Sequence, residues 1–244
     1  MTKNYHVTCH MATSIDGKVT GSFLKNPHFA PHEHIWFTSF YELNKTMKNW
    51  ICGRVSFELL TGGRTVDTSR FKGQKMARED FIAPFDEARF AIAIDPDGKL
   101  GWTQNTIGNE YPELQGDHII TVLSENVADE YLAYLQEIGV SYLFAGQQKP
   151  LCVKTALDKL HRYFGLEQFL LVGGGYANGS FMQAGLIDTI SLIQAPLVES
   201  DSHSVSLFQS DNAEQALPTY QLTDTEVLES GSLKLIYEQI KQEK

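Results

Sequence analysis

The chain has 244 residues, 42% apolar and 20% charged, which is a globular composition rather than a disordered or membrane-embedded one. Thirty acidic against twenty basic side chains give a formal charge of −10. That balance argues against a dedicated nucleic-acid or anionic-membrane binder, which needs a basic face, but leaves room for a few Arg and Lys around one anionic ligand.

In chain order, Tyr5 to Met11 alternates as a first strand, and Ser14-Ile15-Asp16-Gly17-Lys18 follows as a turn. Residues 19–34 read as loop, with Gly21, Pro27 and Pro31. Glu33 to Met47 carries apolar residues at helical spacing. Asn49 to Gly53 is a short buried strand, and Val55 to Leu60 is one or two helical turns ending at Gly62-Gly63. Residues 64–88 are polar and weakly periodic, a long loop. Arg89 to Ile94 is a strand stopped by Asp95-Pro96-Asp97-Gly98. His118 to Leu123 is another. Ala128 to Ile138 is an amphipathic helix ended by Gly139, then come a strand at Val140 to Ala145 and a helix at Val153 to Phe164 ended by Gly165. Gln168 to Val172 is an apolar strand running into three glycines. A helix at Tyr176 to Ala184, a strand at Thr189 to Val198 and a hairpin over Thr219 to Ile240 complete the reading.

Strands alternating with helices imply a largely parallel sheet covered on both faces, and the closing hairpin implies an antiparallel edge. No linker composition or internal repeat divides the chain, so one domain, 1–244, is expected. Cys9, Cys52 and Cys152 form no paired spacing, and the opening MTKNYHVTCHM has no apolar stretch of signal-peptide length, so a cytoplasmic setting is expected.

The strongest local feature is Val172-Gly173-Gly174-Gly175-Tyr176, where a buried strand ends in glycines and a helix begins. Without Cβ atoms, backbone N–H groups approach a phosphate closely, and the helix dipole favours the anion. A tight strand-to-helix turn with no ligand is the alternative. A P-loop is excluded because no GxxxxGK run is followed by Ser or Thr, and a GxGxxG fingerprint fails at Asn178. No GxSxG elbow frames a serine, and no HxE with PCxxC provides a zinc deaminase. His28, His32, Glu33 and His34 do not complete a metal-ligand set, so no metal is expected.

Three segments together are familiar. Met11-Ala12-Thr13-Ser14-Ile15-Asp16-Gly17-Lys18, then Cys52-Gly53-Arg54-Val55-Ser56, then Val172-Gly173-Gly174-Gly175 with Asn178-Gly179 and Ala184-Gly185-Leu186-Ile187-Asp188, resemble the reductase family that includes the C-terminal domain of the bifunctional riboflavin-biosynthesis protein. The resemblance spans essentially the whole chain. It implies an α/β, dihydrofolate reductase-like fold, with a mostly parallel central sheet flanked by helices and an antiparallel C-terminal hairpin.

It also implies roles. Ala12 is the strand residue whose backbone meets the nicotinamide carboxamide, and Asp16, a catalytic candidate with Glu33, borders the active-site mouth with Gly17 and Lys18. Gly53, Arg54 and Ser56 form the turn that takes cofactor phosphates, with Arg54 on the adenosine 2′-phosphate. Val172, Gly173, Gly174, Gly175 and Tyr176 form the turn under the pyrophosphate, and the fold implies a cis Gly173–Gly174 peptide. Glu33, before Ile35-Trp36-Phe37, stands where dihydrofolate reductases carry the carboxylate that polarises substrate; a plain helix-terminal acid is the other reading. Asp95 either holds a ribose hydroxyl of NADH or caps its turn, and Arg54 makes NADPH the expected cofactor.

The implied activity is NADPH-dependent hydride transfer to a small heterocycle, with the reduction of 5-amino-6-(5-phosphoribosylamino)uracil in riboflavin biosynthesis as the leading named reaction. A dihydrofolate reductase-type enzyme and a non-catalytic nucleotide-binding paralogue are the alternatives. The family's Arg on the first helix is missing, since Asn44, Lys48 and Asn49 stand in that region. Lys45 or Lys48 would offer only a point charge there. The resemblance further implies a homodimer with a small-molecule substrate. Arg64, Arg70, Lys72, Lys75 and Arg78 make the 64–88 loop either a solvated segment or a flap that meets a phosphate.

Overall fold

The computed structural model describes residues 3–86, 89–210 and 217–240. The chain packs as two compact units, one of Met1–Thr46 with Gln168–Lys244 and one of Met47–Glu167.

In the first unit, β1 (His6–Thr13) lies between β6 (Gln168–Leu171) and β7 (Thr189–Gln194), parallel to both. The hairpin β8 (Tyr220–Val227) and β9 (Leu233–Gln239) adds to β7 in antiparallel fashion, so the order is β6-β1-β7-β9-β8. α1 (Ala30–Met47) and α5 (Gly175–Gln183) belong to this unit. Val7, Cys9, Phe169 and Leu171 of the strands are fully buried, as expected of strands covered on both faces, and so are Phe181 of α5 and Ile187 before β7. α1 begins three residues earlier than its apolar spacing suggests. Pro31 stands in its first turn, where the missing N–H costs nothing, so the proline opens the helix rather than ending a loop. His10, with no exposed surface, stacks on Trp36 of α1 at 5.9 Å between ring centres.

In the second unit, β2 (Asn49–Gly53), β3 (Phe90–Ile94), β4 (His118–Leu123) and β5 (Ser141–Phe144) are parallel neighbours in that order. Parallel neighbours need crossovers, and α2 (Arg54–Thr61) and α3 (Asp129–Glu137) stand between successive strands, with α4 (Val153–Phe164) following β5. Ile51, Phe57, Ile92, Ile120, Leu132, Leu135 and Tyr142 form its core. Phe57 stacks on Trp50 at 4.7 Å and meets the edge of Trp102 at 5.5 Å.

The expected class is thus what the chain adopts: α/β, mostly parallel strands, and an antiparallel C-terminal hairpin. The 64–88 segment is loop apart from one short turn of 3-10 helix at Ser69–Phe71, and residues 87 and 88 lie outside the described residues. Its cations hold it to α3 and the approach to α3. Arg70 pairs with Glu137, Arg78 Nη1 lies 2.6 Å from Asp129, and Arg78 Nε donates to the Glu125 carbonyl at 2.7 Å. No described helix is long and apolar enough to cross a membrane.

Candidate functional site

In each unit the chemistry-bearing residues gather where parallel strands end. In the first unit, Leu171, the last residue of β6, pairs with Cys9, so the glycine turn leaves the sheet beside β1, which runs on along β7 to Thr13. A Cβ on Gly173 would come within 3.1 Å of the Met11 side chain. Gly173 takes φ 117, open to glycine and strained for L side chains, and Gly174 is the N-cap of α5. The expected cis Gly173–Gly174 peptide is not found. Among the described residues only Lys149–Pro150 is cis, and the chain reverses at Gly173 through its dihedral instead. No side chain caps α5, so its first N–H groups are available to an anion. Tyr176, in that first turn, is 55% exposed, while Val172 is buried and Ala12 half-buried.

Two other glycines of this region serve packing. A Cβ on Gly175 would lie 2.1 Å from the Ser206 carbonyl oxygen, and one on Gly179 would lie 1.9 Å from that of Gln209. The segment 204–209 therefore runs along α5 at backbone contact. Gln209 N–H donates to the Gly175 carbonyl at 2.9 Å, and Asn178 Nδ2 to that of Leu207 at 3.0 Å. The segment's other side meets the Asp16-Gly17-Lys18 turn. Leu207 N–H donates to the Gly17 carbonyl at 3.0 Å, and Lys18 Nζ to the Ser204 carbonyl at 2.8 Å. One strap thus ties together two motifs nearly 160 residues apart in sequence.

Asp16 is fixed in the same way. Its carboxylate accepts the N–H groups of Glu199 at 3.1 Å and Ser200 at 2.9 Å. The Ser14 hydroxyl and these two amides hold its carboxyl well below the usual range. It is therefore an ionised anchor across the neutral range. Glu33 lies in the first turn of α1, exposed, without a hydrogen bond or ion pair among the described residues.

The second unit presents Gly53 as the N-cap of α2, again with no side-chain cap and no acid in the first turn. Arg54 follows, and it forms an i,i+4 ion pair with Glu58. Ser56 bonds the Cys52 thiol, which burial nonetheless pushes up to about 12, so Cys52 stays protonated and inert. Because Gly53 pairs in register with Ile94, Arg54 and Asp95 are the first residues beyond the ends of neighbouring strands. Asp95 has no exposed surface. Its Oδ2 accepts from Lys99 N at 2.7 Å and Leu100 N at 2.8 Å, the capping geometry, and its Oδ1 is buried without a partner. Burial raises its carboxyl, against the pull of those two N–H groups and of Arg54.

At the opposite, amino-terminal ends of β3 and β4, a cavity of about 440 Å³ is lined by Phe85, Arg89, Asn105, Asp117 and His118. Three of its polar groups are already satisfied: Arg89 Nε lies 2.6 Å from Asp117 Oδ1, and His118 Nε2 lies 2.9 Å from Ser141 Oγ. This network was not singled out in the sequence, and nor were Glu58, Glu199 and the 204–209 strap. Only Glu58 left a local trace, its four-residue spacing from Arg54.

Several solved structures share the fold. A pyrimidine reductase-like protein from Corynebacterium diphtheriae superposes with a TM-score of 0.69 at 16% identity, covering 98% of this chain and 93% of that one. The riboflavin biosynthesis reductase Rib7 of Saccharomyces cerevisiae gives 0.62 at 13% identity, over 98% and 92%. RibD of Acinetobacter baumannii gives 0.61 at 18%, over 97% of this chain and 58% of that one. No curated protein matches the sequence significantly. The family model of the RibD C-terminal domain matches residues 97–234, more than half of the sequence, and the chain therefore belongs to the RibD C-terminal domain family.

Proposed function

We propose that the chain is an NADPH-dependent reductase that transfers a hydride to a C=N or C=O carbon of a small heterocyclic or ribosylamino-pyrimidine substrate, with 5-amino-6-(5-phosphoribosylamino)uracil as the leading candidate. The observation that carries the reading is the pair of uncapped strand-to-helix turns, Gly53–Arg54 and Gly174–Gly175, on motifs of a reductase family. Taken by itself, each turn fits an anionic group of the kind a dinucleotide carries. One turn offers a guanidinium and free N–H groups, the other a glycine backbone that a side chain at Gly173 would strain.

The hydride comes from the reduced nicotinamide when the cofactor is bound. This chain's residues do the rest. Arg54 takes the 2′-phosphate, with Gly53 and Ser56 shaping its turn. The α5 N-terminus, with Val172 and Gly173 to Tyr176, takes the pyrophosphate. The Ala12 backbone orients the carboxamide. Asp16 holds the mouth loop in place through Glu199 and Ser200, a positioning role that its permanent ionisation suits. Glu33, free of internal partners, polarises the substrate or relays a proton to it.

Glu33→Gln tests the last role. It is expected to lower turnover at least about a hundredfold, the usual contribution of a general acid, with dinucleotide affinity unchanged. Unchanged turnover removes Glu33 from the mechanism and returns it to a helix-terminal acid.

A further inference from the structure

Arg54 is not a bare cation. Its guanidinium pairs with Glu58 one helical turn along α2, and both side chains are about one-third exposed, 31% and 37%. On its other flank the parallel register sets Asp95, whose Oδ1 is fully buried with no partner. The next cations past this strand end are likewise matched. Lys99 Nζ lies 3.3 Å and Lys149 Nζ 2.5 Å from the Asp97 carboxylate. Arg54, Lys99 and Lys149 thus each lie beside a carboxylate, the two lysines sharing that of Asp97.

A phosphate monoester carries close to two negative charges at neutral pH and takes an arginine best through two parallel N–H bonds. Such a group meets two obstacles here. Glu58 already holds Nη1 of the guanidinium it needs, and the Glu58 and Asp95 carboxylates repel it. A ribose with free hydroxyls meets neither, because hydroxyls donate to carboxylates as readily as they accept from a guanidinium.

We propose that Glu58 is an internal competitor for the 2′-phosphate at Arg54, so that this chain discriminates only weakly between NADPH and NADH. The inference rests on the reading of Arg54 under Proposed function and adds a specificity-setting residue to it. Glu58 acts on the cofactor's choice through Arg54, so it is a positioning residue rather than a catalytic one.

The test is a fluorescence titration of the full chain and its Glu58→Gln variant with NADPH and with NADH, at low and at high salt. The expected result is an NADPH Kd lowered about five- to tenfold in Glu58→Gln, an NADH Kd within about twofold of the parent, and a smaller NADPH gain in high salt. If the parent binds both dinucleotides and the substitution shifts both Kd values equally, or neither, the competitor role is overturned while the reductase reading stands. If Arg54→Gln leaves NADPH binding untouched, or the parent binds neither dinucleotide, the assignment of Arg54 itself falls, and the inference with it.

Discussion

Gly179→Ala sets two physical effects of opposite sign against each other. Gly179 is the fifth of the nine residues of α5. By helix propensity alone, alanine there should stabilise the protein by about 0.5–1 kcal/mol. The added Cβ, however, would lie 1.9 Å from the Gln209 carbonyl oxygen and 2.7 Å from its carbon, both backbone atoms that no rotamer change can move. Restoring ordinary contact requires the strap to withdraw by about 1.5 Å. That movement breaks the Gln209 N–H bond to Gly175 at 2.9 Å and loosens the Asn178 bond to Leu207 at 3.0 Å. Overpacking of this kind costs about 1–3 kcal/mol, and each lost hydrogen bond about 0.5–1.5 kcal/mol. The net expectation is a loss of about 0.5–4 kcal/mol, or a Tm lower by roughly 1–16 °C for a chain of this size. Thermal denaturation followed by circular dichroism reads it directly. A variant as stable as the parent, or more stable, refutes the claim that the Asn178-Gly179 motif is there to seat the strap.

Two further predictions concern charge. His10 and His118 are both buried, and burial lowers each to about 4. Their folded pKa values lie below the unfolded 6.5, so the unfolded chain binds protons first. Stability is complete above about pH 6.5 and falls as the pH drops towards 4, by about 2 kcal/mol per histidine at pH 5. Urea midpoints at pH 7 and pH 5 should differ accordingly, and equal midpoints would contradict the burial argument. Asp16→Asn leaves one carbonyl oxygen where two carboxylate oxygens accepted the Glu199 and Ser200 amides. Faster hydrogen exchange at those two amides and faster proteolysis within residues 14–20 are expected, and unchanged exchange would show that the anchor is dispensable.

Much of the architecture was legible because it is written in local patterns. The apolar strands, the αL glycines Gly62 and Gly165 that end α2 and α4, and the C-terminal hairpin all follow from periodicity and turn chemistry. What escaped was long-range. Residues 204–209 have no periodicity of their own, and they are ordered by partners at 17–20 and 175–179. The glycine run, which reads from sequence either as a phosphate cradle or as a tight ligand-free turn, divides. Gly173 and Gly174 shape an open turn, whereas Gly175 and Gly179 are small because a backbone crosses them. The cis bond implied by the resemblance is replaced by a positive φ at Gly173. In the 64–88 loop, composition alone could not show that Arg70 and Arg78 are spent on α3, because their acids lie roughly 50–70 residues further on.

The central claim, that this chain transfers hydride from a reduced nicotinamide dinucleotide, is tested most directly by following dinucleotide oxidation by absorbance. NADPH and NADH would each be incubated with the purified chain, with and without 5-amino-6-(5-phosphoribosylamino)uracil or dihydrofolate. The account predicts oxidation that depends on one of these acceptors and is lost with Glu33→Gln. A chain that binds the dinucleotide but oxidises it with neither acceptor would contradict the reductase and support a nucleotide-binding paralogue.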